Sequence, residues 1–309
     1  MDRDSPFLAV FAILIPLLAW GCAASHTTVV KPSGAFQPPQ VATKGELIER
    51  YRQQVGSVTS VNASVSMTLT AGSSYTGAIK QYHEIGGFLL AEKPASIRVI
   101  GQAPVVGTDI FDMVSDGETF HIFIPSQHKF ITGSATLGRP SAKPIENLRP
   151  EHLTSAIFWA PIPVQTPVLI EEANDDGSRY YVLTVVRAAG EPASAAQASP
   201  DWEIARRIWF DRSNLDIARI QSYDSGGQLT SDVSLRGWDL FGAVKYPRQI
   251  SLFRPDSDYK LQIEIKKGIF NEMISADRFI LEQPPGTELI HAGEVSEQVA
   301  PDERQEKKN

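Results

Sequence analysis

The sequence predicts a mainly antiparallel β domain with a few helices. Three observations carry this. Much of residues 58–271 falls into stretches that alternate apolar and polar side chains, the period of a half-buried strand. Turn-forming pairs such as Asp116-Gly117, Asp176-Gly177 and Gly226-Gly227 separate those stretches. Only two segments carry helix signals. So many meandering strands in one domain favour a barrel or a strongly curved sheet, which hides strand edges from solvent.

The first segment is not part of that domain. Residues 7–20, FLAVFAILIPLLAW, form an apolar run too short for a comfortable membrane span but suited to a signal peptide. Gly21-Cys22-Ala23-Ala24-Ser25 follows and resembles the bacterial lipoprotein signal, a small residue directly before an obligatory cysteine. The resemblance implies removal of residues 1–21, a diacylglyceryl group on the Cys22 thiol and an acyl group on its new amine. An ordinary signal peptide, or an uncleaved anchor with an incidental cysteine, is the other reading. Two or more acyl chains anchor stably where one does so marginally. Ala23, with no Asp after the cysteine, fits export to the outer membrane.

Residues 22–43, rich in Ser, Thr, Pro and Gln, read as a flexible tether. Residues 44–55 place Leu47, Ile48, Tyr51 and Val55 on one face at helical spacing. Strands follow at 58–70, at 76–91 with a break at Gly86-Gly87, and at 97–101, 112–115, 119–124 and 129–132. The prolines of 138–150 give a loop, and 150–159 form a short helix with Pro150 near its start. Pro161, Pro163 and Pro167 forbid regular structure. Strands resume at 168–173 and 179–187. The Ala-, Ser- and Pro-rich stretch 188–200 is an insertion. Further strands lie at 202–211, 215–224, 228–240, 246–254 and 260–271. The domain therefore covers 44–285, and 286–309 read as a disordered polar tail.

Charge and composition exclude several functions. The net charge of −7 and pI of about 5.4 repel phosphate backbones, so no nucleic-acid partner is expected. With Cys22 alone, neither an internal disulfide nor a Cys-based zinc site can form. His121 and His128 flank a turn, but two ligands do not make a metal site, and no metal is expected. DRSNLD at 211–216 lacks the Gly and Glu of a calcium loop. Glu171-Glu172 and Asp175-Asp176 sit beside a turn as solvated carboxylates. There is no G-x-S-x-G, H-E-x-x-H, P-loop or G-x-G-x-x-G, so no enzyme and no cofactor beyond the acyl groups on Cys22 are expected.

The order of segments resembles a known family. A helix leads into strands. These carry FLLAEKPASIRV at 88–99, MVSDGETF at 113–120, FIP at 123–125, IWFD at 208–211 and YDSGG at 223–227. This is similar to the LolA/LolB-like superfamily of lipoprotein carriers and receptors, over 47–281, and closer to the anchored LolB. The resemblance implies an unclosed β-barrel, a half-pipe under a helical lid, whose apolar interior holds acyl chains of lipoproteins or other amphiphiles. It also implies a position on the periplasmic side of the outer membrane and a soluble periplasmic lipoprotein carrier as a possible partner. Leu89, Ile97, Val99, Phe120 and Ile122 would line the cavity. Val105 and Val106, in Ala103-Pro104-Val105-Val106-Gly107-Thr108, would touch the membrane. Leu153, Ile157 and Phe158 would form the lid, hinged at Trp159-Ala160-Pro161. The residues alone leave three alternatives open. The alternation suits a filled core as well as a hollow one, the valines suit an inward-packed turn, and the helix suits a core cap. A non-transporting envelope scaffold that binds a protein partner through the same fold is the rival function.

Overall fold

The computed structural model describes residues 38–72, 79–135, 149–175, 177–189 and 201–292. The described elements lie in one unit, Pro39–Asn309. Cys22 and the 293–309 part of the tail lie outside the described residues, as do the turn residue Asp176 and most of the 138–150 loop and the 188–200 insertion.

Helix α1 (Lys44–Gly56) starts where its sequence supplies a cap. The Thr43 hydroxyl accepts from the Glu46 backbone N–H, and the Glu46 carboxylate accepts from the Thr43 N–H at 2.7 Å. This reciprocal pair satisfies two donors that a helix start otherwise leaves open. The same bonds hold the Glu46 carboxyl below the ordinary carboxylate range.

Among the described residues, fifteen strands form a single sheet. They are β1 (Ser60–Ala71), β2 (Lys80–Gln81), β3 (Ile85–Glu92), β4 (Ser96–Gln102), β5 (Asp109–Ser115), β6 (Thr119–Ile124) and β7 (Lys129–Ser134) in the first half. After α2 (Pro150–Ile157) come β8 (Val168–Asp175), β9 (Ser178–Ala188), β10 (Trp202–Asp211), β11 (Ile217–Tyr223), β12 (Leu229–Phe241), β13 (Val244–Arg254), β14 (Tyr259–Phe270) and β15 (Glu288–His291). The spatial order is β15-β7-β6-β5-β4-β3-β1-β14-β13-β12-β11-β10-β9-β8, with β2 beside β1. Every pair is antiparallel except β15 on β7. Strands β15 and β8 do not meet, so the sheet is an unclosed barrel.

The sheet curls around α1. The Val168 carbonyl at the start of β8 accepts from Lys44 Nζ, and the Val55 carbonyl accepts from Lys93 Nζ in the β3–β4 turn. Thirteen helical residues span about 20 Å. In the sheet β3 and β8 stand eight places apart, about 38 Å if flat. Bulges bend the long strands where this is needed, at Ser64/Val65 in β1 and between Ile204 and Arg206 in β10.

The concave face carries the apolar half of the alternation. One row runs Ala63, Leu89, Val99, Met113, Ile122 across β1 and β3–β6. Another runs Leu261, Leu252, Val233, Ile220, Ile208, Leu183 across β14 to β9. Nearly all of these are buried in one core with Leu47 and Tyr51 of α1 and Leu153 and Ile157 of α2.

Two sequence expectations need correction. Gly86-Gly87 does not interrupt its strand but lies within β3. A Cβ on Gly87 would stand 2.0 Å from the Ile100 carbonyl oxygen, so the glycine permits a close strand approach. The segment from 286, read as tail, contains β15, which pairs with β7 from Glu288↔Lys129 to His291↔Thr132. To reach β7 the chain crosses the convex face after β14. Leu90, Arg98 and Val114, in register on that face, lie under the crossing, where Arg98 Nη1 donates to the Arg278 carbonyl at 2.8 Å. Arg98 also grips Asp112 with two bonds, at 3.0 and 2.6 Å.

Asp112→Ala should therefore cost about 2–3 kcal/mol, because it strips a half-buried guanidinium of its carboxylate. Amide hydrogen exchange should rise selectively in β15 and β7. Uniform exchange across the sheet would contradict the crossing's role.

Candidate functional site

The concave face and its helical cover form the largest apolar feature of the fold. Helix α2 begins at Pro150, which has no N–H to lose at the first helical position. It turns His152, Leu153, Thr154, Ala156 and Ile157 inward. Of the residues expected to form a lid, Leu153 and Ile157 are each 2% exposed, and Phe158 is half-buried against the core.

A few polar bonds tie this cover down. Tyr246 OH donates to the Ile157 carbonyl at 2.8 Å. Trp159 Nε1 donates to the Ala156 carbonyl at 2.9 Å. The Trp159 ring stacks on Tyr246, centroids 6.0 Å apart and planes 4° apart, and meets Trp238 edge-on. The Ala160 carbonyl accepts from Tyr51 OH and from Arg206 Nη1. Lys93 lies over the Phe158 ring at 5.6 Å, and burial draws its ammonium below the ordinary lysine range. Burial pushes the Tyr246 phenol up, so it stays a neutral donor.

At the other end of α2, His152 Nδ1 and Tyr259 OH share a 2.6 Å hydrogen bond. Burial pushes the imidazole down to about 3, and Arg254 and Arg149 add to the effect. Glu151 stands 3.6 Å from Nε2, and burial raises its own carboxyl above the ordinary range.

The expected lining residues divide by depth. Leu89, Ile97, Val99 and Phe120 are buried on the concave face, and Ile122 is half-buried against the same core. Sequence reading missed Tyr246, Trp238 and Arg206. Tyr246 shares the parity of Ile250 and Leu252, so alternation could have given its face. Its stacking on Trp159 joins residues too far apart in the chain for any local pattern.

The loop from Ala103 to Thr108 joins β4 to β5. Its ends are pinned by Ala103 N–H to the Thr108 carbonyl at 2.8 Å and Gly107 N–H to the Ala103 carbonyl at 3.1 Å. At its tip Val105 has φ +74°, and Val106 N–H donates to the Pro104 carbonyl. That is a γ-turn of the rare, strained hand. Val105 is fully exposed and Val106 is 72% exposed. The two valines do not pack inward. A β-branched residue at positive φ is a backbone outlier costing on the order of 1–3 kcal/mol.

Among the described residues no group of three His, Cys, Asp or Glu is arranged to hold a metal ion. His121 stacks on Phe130. Asp211 and Asn214 cap their own turn, accepting from the Ser213 and Asp216 N–H groups.

No protein-family model and no curated protein matches the chain. Among solved structures it is similar to a LolA superfamily protein from Nitrosomonas europaea, at 15% identity and a TM-score of 0.45, over 78% of this chain and 99% of that one. It is also similar to a DUF1329 family protein from Desulfovibrio piger, at 13% identity and a TM-score of 0.46, over 76% and 95%.

Two outcomes follow from the site. Below pH 6.5 the unfolded chain protonates at His152, while the folded chain does not until about pH 3. Stability should therefore fall as pH drops through that window, by up to about 1.4 kcal/mol per unit from this group. His152→Gln should flatten that slope in urea denaturation between pH 7 and pH 4.5, and parallel curves would refute the assignment. Val105→Gly should stabilise the protein by about 1 kcal/mol by relieving the γ-turn. A lower melting temperature would mean the valine is not strained there.

Proposed function

We propose that the protein is a lipid-anchored, LolB-like receptor or carrier of the cell envelope. It would be held by acyl groups on Cys22 at the periplasmic side of the outer membrane. It would accept acyl chains of lipoproteins or other amphiphiles against the concave face and deliver them to the membrane, with a soluble periplasmic carrier as a possible donor. One observation carries the reading. A continuous apolar concave face is covered by a separate short helix, tied down by a handful of hydrogen bonds and one aromatic stack. Displacing α2 would open room for acyl chains, each methylene contributing about 0.8 kcal/mol. The strained, exposed Val105-Val106 tip supports a membrane-contacting role, since the fold retains an apolar side chain there at the cost of backbone strain.

The rival, a non-transporting scaffold that binds an envelope protein, draws on the same packing. Leu47, Tyr51, Leu153 and Ile157 already fill the concavity as a core would.

The test uses a fluorescent acyl probe and vesicles. The protein should take up the probe, and Val105→Glu with Val106→Glu should slow its release to vesicles at least about tenfold while leaving uptake and melting temperature unchanged. Normal delivery by that variant would remove the loop from the mechanism. No uptake by the unaltered protein would favour the scaffold.

A further inference from the structure

A cavity lies at the rim of the concave core, beside the paired ends of β9 and β10. The 160–167 loop overhangs it, and it encloses about 550 Å³. That volume suits one small ligand. Pro163, Val164, Val185 and Trp202 are among its apolar lining residues. Three of the loop's eight residues are prolines, which offer no backbone N–H and keep that part of the lining apolar. Val164 is 83% exposed and Trp202 is 53% exposed, a large apolar and aromatic surface at the mouth.

Two guanidinium groups complete the lining, and they differ. Arg187 is paired with Glu203 and donates to the Tyr223 carbonyl. Arg206 follows the β10 bulge and reaches only neutral oxygens, Tyr51 OH at 3.1 Å and the Ala160 carbonyl at 2.5 Å. Among the described residues no carboxylate neutralises it. A guanidinium that no carboxylate of the described residues neutralises, at the side of an apolar groove, is complementary to a chain with a single anionic head.

We propose that this groove binds a monomeric fatty carboxylate, its head on the free donors of Arg206 and its tail between Val164 and Trp202. The groove adjoins the rim of the concave face through Val185 and Arg206, but its binding of a free carboxylate does not require delivery to a membrane. A charge-assisted bond adds about 1.5–3 kcal/mol, about ten- to a hundredfold in affinity. That sets the expected preference for a carboxylate over an alcohol of the same chain.

The experiment titrates the full chain with dodecanoate and with dodecanol. The unaltered protein should bind dodecanoate at least about tenfold more tightly. Arg206→Gln should bring dodecanoate down to the dodecanol level. Because Arg206 also bonds to Tyr51 and Ala160, Val164→Asp serves as a variant remote from the core. It should weaken dodecanoate at least about tenfold with an unchanged melting temperature. Equal binding of acid and alcohol would overturn the anion site. Dodecanoate binding that survives both Val164→Asp and Trp202→Ala lies elsewhere, the concave face included, and would overturn the groove while leaving the carrier reading intact. Attachment to phosphatidylglycerol vesicles through Val164, without dodecanoate binding, would make the groove a membrane patch and equally overturn the proposal.

Discussion

The constraint on which this fold depends is that an unclosed sheet leaves an apolar face that its own strands cannot bury. A closed barrel fills its interior with side chains from opposite walls. Here β15 and β8 end apart, so the concavity needs cover from outside the sheet. Helices α1 and α2 supply it, with Leu47 and Tyr51 from one and Leu153 and Ile157 from the other. Both helices are short, and neither would be stable alone. Each exists because the sheet offers an apolar surface, and the sheet keeps its curvature because the helices occupy it.

That mutual dependence sorts the polar groups at the interface. The hydroxyls of Tyr51 and Tyr246 donate to carbonyls that follow or end α2, where a helix leaves acceptors unpaired. His152 is kept neutral by burial and meets the Tyr259 hydroxyl. Such bonds fix position at a modest net gain in energy. The cover is therefore well located without being fused to the strands.

An open sheet also leaves edges. At one, β15 returns in parallel and covers β7, held there by a chain that crosses the convex face over Arg98. At the other, β8 exposes Glu171 and Glu172 and ends in Asp175. Acidic side chains on an edge strand discourage pairing with further strands. Arg212 holds Glu172 at 2.5 Å, and Arg219 lies near Asp175, which fixes the charges without removing them.

Much of this was legible in the sequence, and the reason is locality. Alternation gave most of the strands and turn dipeptides their separators, because a strand's face is decided by its own parity. The spacing of Leu47, Ile48, Tyr51 and Val55 marked α1, and Pro150 the start of α2, because both signals act within a few turns of one helix. Parity likewise put Leu89, Ile97, Val99 and Phe120 on one face. Tertiary structure alone decided the rest. Gly87, which read as part of a break, serves as a close contact, since only the neighbouring strand reveals the Ile100 carbonyl. Four residues of an apparent tail became a strand because β7 offered an unpaired edge. Trp159 found Tyr246, and Arg206 found Ala160, through the curl of the sheet. Sequence determines which residues want burial and which bonds their near neighbours can make; which distant surface satisfies them depends on how the open sheet curls around α1 and α2.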